Sequence, residues 1–387
     1  MITKQKAALL YRRIFMDEKN TMAPRIFIPA LTGLRTLCAV GIFFYHVNPF
    51  SKENQPVIFR IFDQFYSFIP FFFVISGFVI FYKYYKQLPY SKNELYNYFV
   101  SRFARIFPIL IILNFFVFVI AYKENLYNGF DSIKLFVLNI TLLKGFFSEY
   151  FLTGIGPSWT NSVEEIFYLL APVLFLLSLK RTFFLKFILI VYLLGFLFTY
   201  ICIPLNFFGF LGSFKFTAYF TFFGRVFEFA TGMYLALLFM GVYKNTFLEN
   251  HKSATLAIGL LLLIFSHFLL YVISTNHNVA HANEVWQGIL VNNFVFPIAI
   301  FFILYNFLYC SNGIQRFFSS KIMVGFGNAT YSFYLLHTSF VLSYIYKYLS
   351  KNIFIAFAAM AIISYCFFKL IEQPVAKFLK RKLYRNV

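Results

Sequence analysis

Apolar residues in this chain do not alternate with polar ones; they run on for lengths near the ~20 residues a helix needs to cross a bilayer. Stretches such as 111–120 (IILNFFVFVI) and 254–265 (ATLAIGLLLLIF) are apolar on every face, which suits neither a half-solvated helix nor the alternating strands of a membrane barrel. The pattern predicts membrane helices at 31–50, 65–82, 103–122, 162–179, 183–203, 217–240, 254–274, 287–308, 322–346 and 352–371. A further segment, 131–147, is short and carries Asp131, Lys134 and Lys144; it reads as lying in or under the outer membrane surface. The expected fold is an all-α integral membrane protein with about ten transmembrane helices and this one short non-spanning segment.

Composition agrees. Of the 387 residues, 60% are hydrophobic and 12% charged, and a mean hydropathy of +0.72 leaves no room for a large soluble domain. Lys and Arg number 34 against 14 Asp and Glu, a net charge of +20. In a soluble protein that excess would suggest nucleic acid, but in a membrane protein it marks the cytoplasmic loops, and no nucleic-acid partner is expected. With both basic termini in the cytoplasm and 131–147 not spanning, 24 basic residues fall on that side, 8 on the outer side, and Arg35 and Arg225 at membrane depth. Residues 1–26 lack the apolar stretch of a cleavable signal peptide and read as a basic cytoplasmic N-terminus. Residues 27–375 read as one membrane domain and 376–387 as a basic cytoplasmic C-terminus. There is no inverted repeat of the transporter kind. Cys38, Cys202, Cys310 and Cys366 stand singly in or beside apolar runs and read as packing residues.

Ionisable groups inside spans are costly and point to function. Arg35 and His46 lie eleven positions apart, which returns a helix to nearly the same azimuth about 16 Å further along its axis. They share a face, Arg35 toward the cytoplasm and His46 in the outer half. Glu164 and Glu165 open the span at 162–179 at a depth near His46. A carboxylate on one imidazole nitrogen would fix the tautomer and stabilise the imidazolium, leaving the other nitrogen to take a proton from an acceptor hydroxyl. His46 is therefore the candidate general base, with Glu164, and secondarily Glu165, as its orienting group. A plain structural reading stands beside it: a snorkelling arginine, a histidine bonded to a carbonyl, and two glutamates at a helix start with Trp159 as interfacial anchor.

Arg225 and Glu228, three apart, read first as an internal salt bridge. His337 follows Tyr331-Ser332-Phe333-Tyr334 deep in a span, and His267 has no charged neighbour in sequence; each alone reads as a core histidine. His277, His281 and Glu284 have helical ligand spacing but sit in an Asn-rich loop, and no metal site is expected. Arg102 and Arg105 stand at the cytoplasmic mouth of the 103–122 span. They read either as an ordinary positive flank or as a phosphate clamp.

Taken in order, these residues resemble the acyltransferase-3 family of bacterial membrane O-acyltransferases. The match runs from Leu31 to Pro374 through LTGLR with His46, FFFVISGF around Ser76 and Gly77, RFARIFP, SWTNSVEEIFYLLAP, RVFEFATG, YSFYLLH and IEQP around Glu372. The chain departs from the family pattern at Thr32, usually Asp, and at Trp159-Thr160-Asn161-Ser162, usually Trp-Ser-Leu-Ser. The resemblance implies transfer of an acyl group, most often acetyl from cytoplasmic acetyl-CoA, to a hydroxyl of an envelope glycan or lipid-linked saccharide at the outer face of the bacterial inner membrane. It implies a donor site at Arg35, Arg102, Arg105 and Ser76, and an acceptor site at Arg225, Glu228, Tyr331, His337 and Trp159. Many relatives carry an extracytoplasmic hydrolase-like domain; this chain stops soon after Pro374, so direct transfer or a separate extracytoplasmic transferase is expected. The alternative is a multi-pass exporter of such a glycan, with His46 and Glu164 lining a path.

Topology is directly testable. On a cysteine-free background, single cysteines placed in 125–130 and in 148–157 should react with an impermeant thiol reagent from the same side; labelling from opposite sides would mean that 131–147 spans.

Overall fold

With no water in the hydrocarbon core, a spanning backbone must satisfy its polar groups within itself, which helices do. In the computed structural model, which describes residues 27–85, 91–126, 129–178 and 182–385, the regular elements are helical, and one isolated bridge joins Phe147 to Phe210. The expected N-terminal segment 1–26 lies outside the described residues. In chain order the helices used below are α1 (Pro29–His46), α2 (Pro56–Tyr84), α3 (Lys92–Lys123), α4 (Gly129–Ile140), α5 (Gly156–Leu177), α6 (Phe183–Leu205), α7 (Phe214–Phe220) and α8 (Val226–Phe239). They continue with α9 (Thr255–Asn276), α10 (Trp286–Tyr309), α11 (Lys321–Asn328), α12 (Thr330–Leu336), α13 (Phe340–Tyr348) and α14 (Ile353–Leu383).

Among the described residues seven helices, α2, α3, α5, α6, α9, α10 and α14, are long and apolar enough to cross a membrane. The other three expected spans take less regular forms. α1 has 18 residues and carries Arg35. The expected span at 217–240 is split between α7 and α8, and that at 322–346 is broken into α11, α12 and α13. Breaks at membrane depth survive only where protein or a cavity supplies the missing partners, and both lie against the polar interior described below. The C-terminal helix α14 runs without interruption through the expected boundary at 375.

Ends and starts follow local rules. Pro29 and Pro56 occupy first-turn positions, where proline's missing N–H costs nothing. Ser91 and Glu94 form a reciprocal capping box at the start of α3, and the Asn352 side chain caps α14.

Helix α2 is the hub: 78% of its most apolar window is buried, against 17% for α6, α9 and α14, whose exposed leucines, isoleucines and phenylalanines face outward. The hub packs on α8 at backbone contact. A Cβ on Gly77 would lie 2.3 Å from the Phe229 carbonyl oxygen, and one on Gly232 would lie 2.0 Å from that of Val74. Only glycine permits this approach, the small-residue packing that joins helices where water exclusion between them is no driving force.

The segment 131–147 does not span. Its helix α4 has 12 residues, about 18 Å at 1.5 Å per residue, against an apolar core of about 30 Å. The chain then reverses at Leu142, whose φ is +61°, and Lys144 buries its ammonium to donate to the carbonyls of Thr153 (2.6 Å) and Ile155 (2.8 Å). These bonds fasten the loop ahead of α5.

Burial without a carboxylate partner pushes the Lys144 ammonium down to about 7, whereas the unfolded chain keeps the ordinary lysine value of about 10.4. Between those values the unfolded chain binds more protons, so stability rises with pH across the window. Lys144→Met should lose this component: the unfolding midpoint in detergent, compared at about pH 6.5 and about pH 9, should climb more in the wild type than in the variant. Equal slopes would contradict the assignment.

Candidate active site

Two cavities meet inside the bundle. The inner one, of about 70 Å³, is lined by Ser76 and Phe73 of α2, Arg105 of α3, Thr160, Asn161, Glu164 and Tyr168 of α5, and Thr330, Tyr331 and Tyr334 of α12, with Arg35 of α1. The outer one, of about 590 Å³, is a wide mouth lined by Lys83, Lys377, Lys380, Glu372 and Asn328, and again by Arg35 and Arg105. The two arginines are the threshold between a cationic vestibule and a narrow polar chamber. The broken span makes that chamber possible, because α12 turns Thr330, Tyr331 and Tyr334 toward α5.

The chamber floor is a hydrogen-bonded constellation. Ser76 donates to Glu164 Oε1 at 2.6 Å, and the Tyr168 hydroxyl, one turn further along α5, donates to Oε2 at 3.2 Å. The Thr160 hydroxyl donates to the Tyr334 oxygen at 2.9 Å, and Tyr334 donates to the Pro157 carbonyl at 2.8 Å. Tyr331 donates to the Ile106 carbonyl at 2.8 Å. Buried Asn161 keeps its Nδ2 without a protein partner, as Glu165 does its Oε1; a bound carbonyl could take the Asn161 N–H. On the vestibule side, Glu372 accepts from Ser332.

His46 stands beyond this chamber, exposed at the end of α1. Its ring centroid is 4.7 Å from Tyr45 and 5.1 Å from His337, and the His337 ring is 5.7 Å from that of Tyr334, which lines the chamber. The expected pairing of His46 with Glu164 is not made. Both Glu164 oxygens are engaged by Ser76 and Tyr168, because α5 turns that carboxylate toward α2 rather than α1. Glu165 makes no bond to His46 among the described residues.

Arg102 and Arg105 also part company. The Arg102 guanidinium is buried, donates to the Tyr84 hydroxyl at 3.1 Å and to Ser101 at 3.3 Å, and packs over the Tyr84 and Tyr168 rings. Arg105 is exposed to both cavities. Three residues along a helix differ by about 60° in azimuth, enough to aim one guanidinium into the core and the other into the vestibule.

Arg225 and Glu228 form the local salt bridge that their spacing suggests, at 2.8 Å and fully buried. Arg225 also donates to Asn293 at 2.6 Å and lies 4.4 Å over the Tyr219 ring. Asn293 in turn donates to the carbonyls of Ala218 and Gly224, which satisfies the break between α7 and α8. Neither Arg225 nor Glu228 lines the two cavities. Trp159 is buried against Tyr219 and Phe220 instead of anchoring at an interface. His267, without a charged neighbour in sequence, bonds Ser67 at 2.9 Å across helices. His281 points its Nδ1 at the Asp63 carbonyl, and among the described residues no cluster of His, Cys, Asp and Glu is arranged to hold a metal.

Sequence reasoning passed over Thr160, Asn161, Tyr168, Tyr334, Lys83, Lys377 and Lys380. A signal for three of these was present: Tyr168 follows Glu164 by one helical turn, and Thr160-Asn161 is where the chain departs from the pattern it resembles.

Fold and site together define a polytopic helical membrane protein in which a chamber and a cationic vestibule share Arg35 and Arg105 in their walls. The chain belongs to the family described as acyltransferase domain, which it matches over residues 28–370. It is 25% identical over 378 residues to a Staphylococcus aureus (strain COL) protein provisionally named an O-acetyltransferase, covering 91% of this chain and 58% of that protein. It is likewise 25% identical over 393 residues to the O-acetyltransferase OatA of Staphylococcus aureus (strain NCTC 8325), covering 94% of this chain and 59% of OatA. The chain thus spans under two thirds of these relatives' length. No solved structure matches it.

Because Arg102 is locked by Tyr84 and Ser101 while Arg105 faces the vestibule, their removal should differ. Arg102→Ala should cost about 1–3 kcal/mol and lower the unfolding midpoint in detergent, with Arg105→Ala close to wild type; the reverse order would contradict the placement.

Proposed function

We propose that this chain is a membrane O-acyltransferase of the bacterial inner membrane, with both termini cytoplasmic, that passes acetyl from acetyl-CoA to a hydroxyl of an envelope saccharide or lipid-linked precursor at the outer face. The observation that carries this reading is the pair of cavities joined at Arg35 and Arg105. A cationic vestibule suits a phosphorylated donor, and a narrow polar chamber behind it suits an extended acyl-bearing arm. Arg105, Lys377, Lys380 and Lys83 hold the phosphates of the CoA head. Arg35 and Ser76 contact the arm, and the thioester comes to rest between Asn161, Tyr334 and the histidines. His46, exposed on the far side, is the general base: it takes the proton of the acceptor hydroxyl as the oxygen attacks the acyl carbon, and returns it to the departing thiolate. Names of the relatives support acetyl as the group moved.

Arg102, which the sequence offered as half of a phosphate clamp, has its guanidinium already occupied, and this reading leaves the clamp to Arg105 and the lysines. Tyr331, on the chamber wall, borders the acyl arm. Arg225, Glu228 and Trp159 serve the acceptor side only by holding α5, α7, α8 and α10 together.

The test is consumption of acetyl-CoA by the purified protein supplied with envelope-glycan extract, followed by mass spectrometry of the glycan. Acetylated product is expected, and glycan movement across vesicles without thioester cleavage would favour an exporter. A charge-assisted contact is worth roughly 1.5–3 kcal/mol, so Arg105→Ala should weaken CoA binding by about 10- to 150-fold, with lysine restoring only part because it loses the planar fork. An unchanged dissociation constant would remove Arg105 from the donor site.

A further inference from the structure

We propose that His337 is the positioning partner of His46, accepting a hydrogen bond from the His46 ring at its Nε2 and so stabilising the imidazolium that His46 becomes during transfer. This rests on the reading of His46 as general base.

The tautomer of His337 follows from its neighbours. Its Nδ1 faces two main-chain carbonyl oxygens, Phe333 at 3.2 Å and Tyr334 at 2.9 Å. Carbonyls only accept, so Nδ1 carries the proton and the neutral ring presents a bare lone pair at Nε2. The ring is wholly buried and stacks parallel to Phe333 at 5.7 Å, which holds its orientation. Yet among the described residues Nε2 has no partner. A buried acceptor left unsatisfied is costly and asks for an explanation.

The nearest titratable ring supplies one. His46 lies 5.1 Å away between centroids and is exposed, so rotation of its side chain can bring a ring N–H onto the His337 lone pair. Catalytic hydrogen bonds are often long before substrate binds and tighten in the reacting complex. Among the described residues no carboxylate bonds the His46 ring. Glu164 is held by Ser76 and Tyr168. Asp63 accepts from Asn48, and Glu284 accepts from the His281 main chain. His281 itself points at the Asp63 carbonyl, and Tyr45 belongs to the helix of His46.

During transfer one His46 nitrogen takes the hydroxyl proton while the acceptor oxygen bonds to the acyl carbon. The carbon–sulfur bond breaks, and the same proton passes to the thiolate. His337 exchanges no proton; it only receives the hydrogen bond of the second His46 N–H, the role that a carboxylate plays in other acid–base pairs.

The experiment is a double-mutant cycle on acetyl transfer. His337→Phe keeps an aromatic ring to stack on Phe333 and removes both nitrogens, whereas His337→Gln retains an acceptor near the Nε2 position. At saturating substrates, His337→Phe should lower kcat by about 10- to 100-fold with KM for acetyl-CoA within about two-fold, and His337→Gln should recover part of the loss. In a His46→Ala background, adding His337→Phe should change the residual rate by less than about two-fold. A purely structural role would instead multiply the loss in both backgrounds, and that result, or wild-type kcat in His337→Phe, overturns the proposal. If His337→Phe does not elute as a monodisperse species, the cycle is read with His337→Leu on the same criteria. His46→Ala at wild-type turnover would overturn the base assignment and this partner with it, whereas an inactive His46→Ala beside a fully active His337→Phe overturns the partner alone.

Discussion

A polar group at the depth of a bilayer's apolar core must find a protein partner or a water-filled cavity, since lipid offers neither donor nor acceptor. The irregularities of this molecule follow from that constraint. Arg35 sits within α1 because a cavity opens beside it. The chain breaks between α7 and α8 because Arg225, Glu228 and Asn293 together satisfy the loose ends. Helix α12 is seven residues long because its hydroxyl-bearing face lines the chamber instead of lipid. An uninterrupted apolar rod in place of α12 would not present that face to the chamber.

The same constraint explains how the site is framed. Helices α2 and α8 meet at glycine contact around Gly77 and Gly232, so the hub is rigid where it carries Ser76. Helix α5 brings Thr160, Asn161, Glu164 and Tyr168 past it on successive turns, and nearly all their polar atoms are matched to one another or to main chain. Asn161 Nδ2 is the exception among them; Glu165 Oε1 and His337 Nε2 are likewise unmatched among the described residues, as are atoms away from the chamber such as Arg225 Nε and Glu228 Oε2.

Electrostatics then orders the passage. The vestibule gathers Lys83, Lys377, Lys380, Arg35 and Arg105, the chamber holds one carboxylate with both oxygens occupied, and the far side presents histidines. In the proposed reading a polyanionic donor binds in the first region and proton transfer takes place in the last. The charge gradient along the path is built from helices α1, α2, α3, α5 and α14 and from His337 at the end of α12.

Sequence by itself determined what depends on neighbours within one helix. Long apolar runs announced the spans, and three charges in 131–147 announced the segment that does not cross. Spacing of three announced the Arg225–Glu228 bridge, since residues three apart share a face whatever surrounds them. It also singled out Arg35, His46, Glu164 and His337 as costly residues, and the ordered motifs placed the chain near its family. Only the tertiary structure decided which of them meet. Glu164 pairs with Ser76, 88 residues away, and not with His46; Arg102 turns inward and Arg105 outward; His337, read alone as core, lies beside His46. Helical periodicity sets the azimuth of a side chain on its own axis, but the crossing and rotation of helices against one another are set by packing, as at Gly77 and Gly232, and no local spacing encodes them.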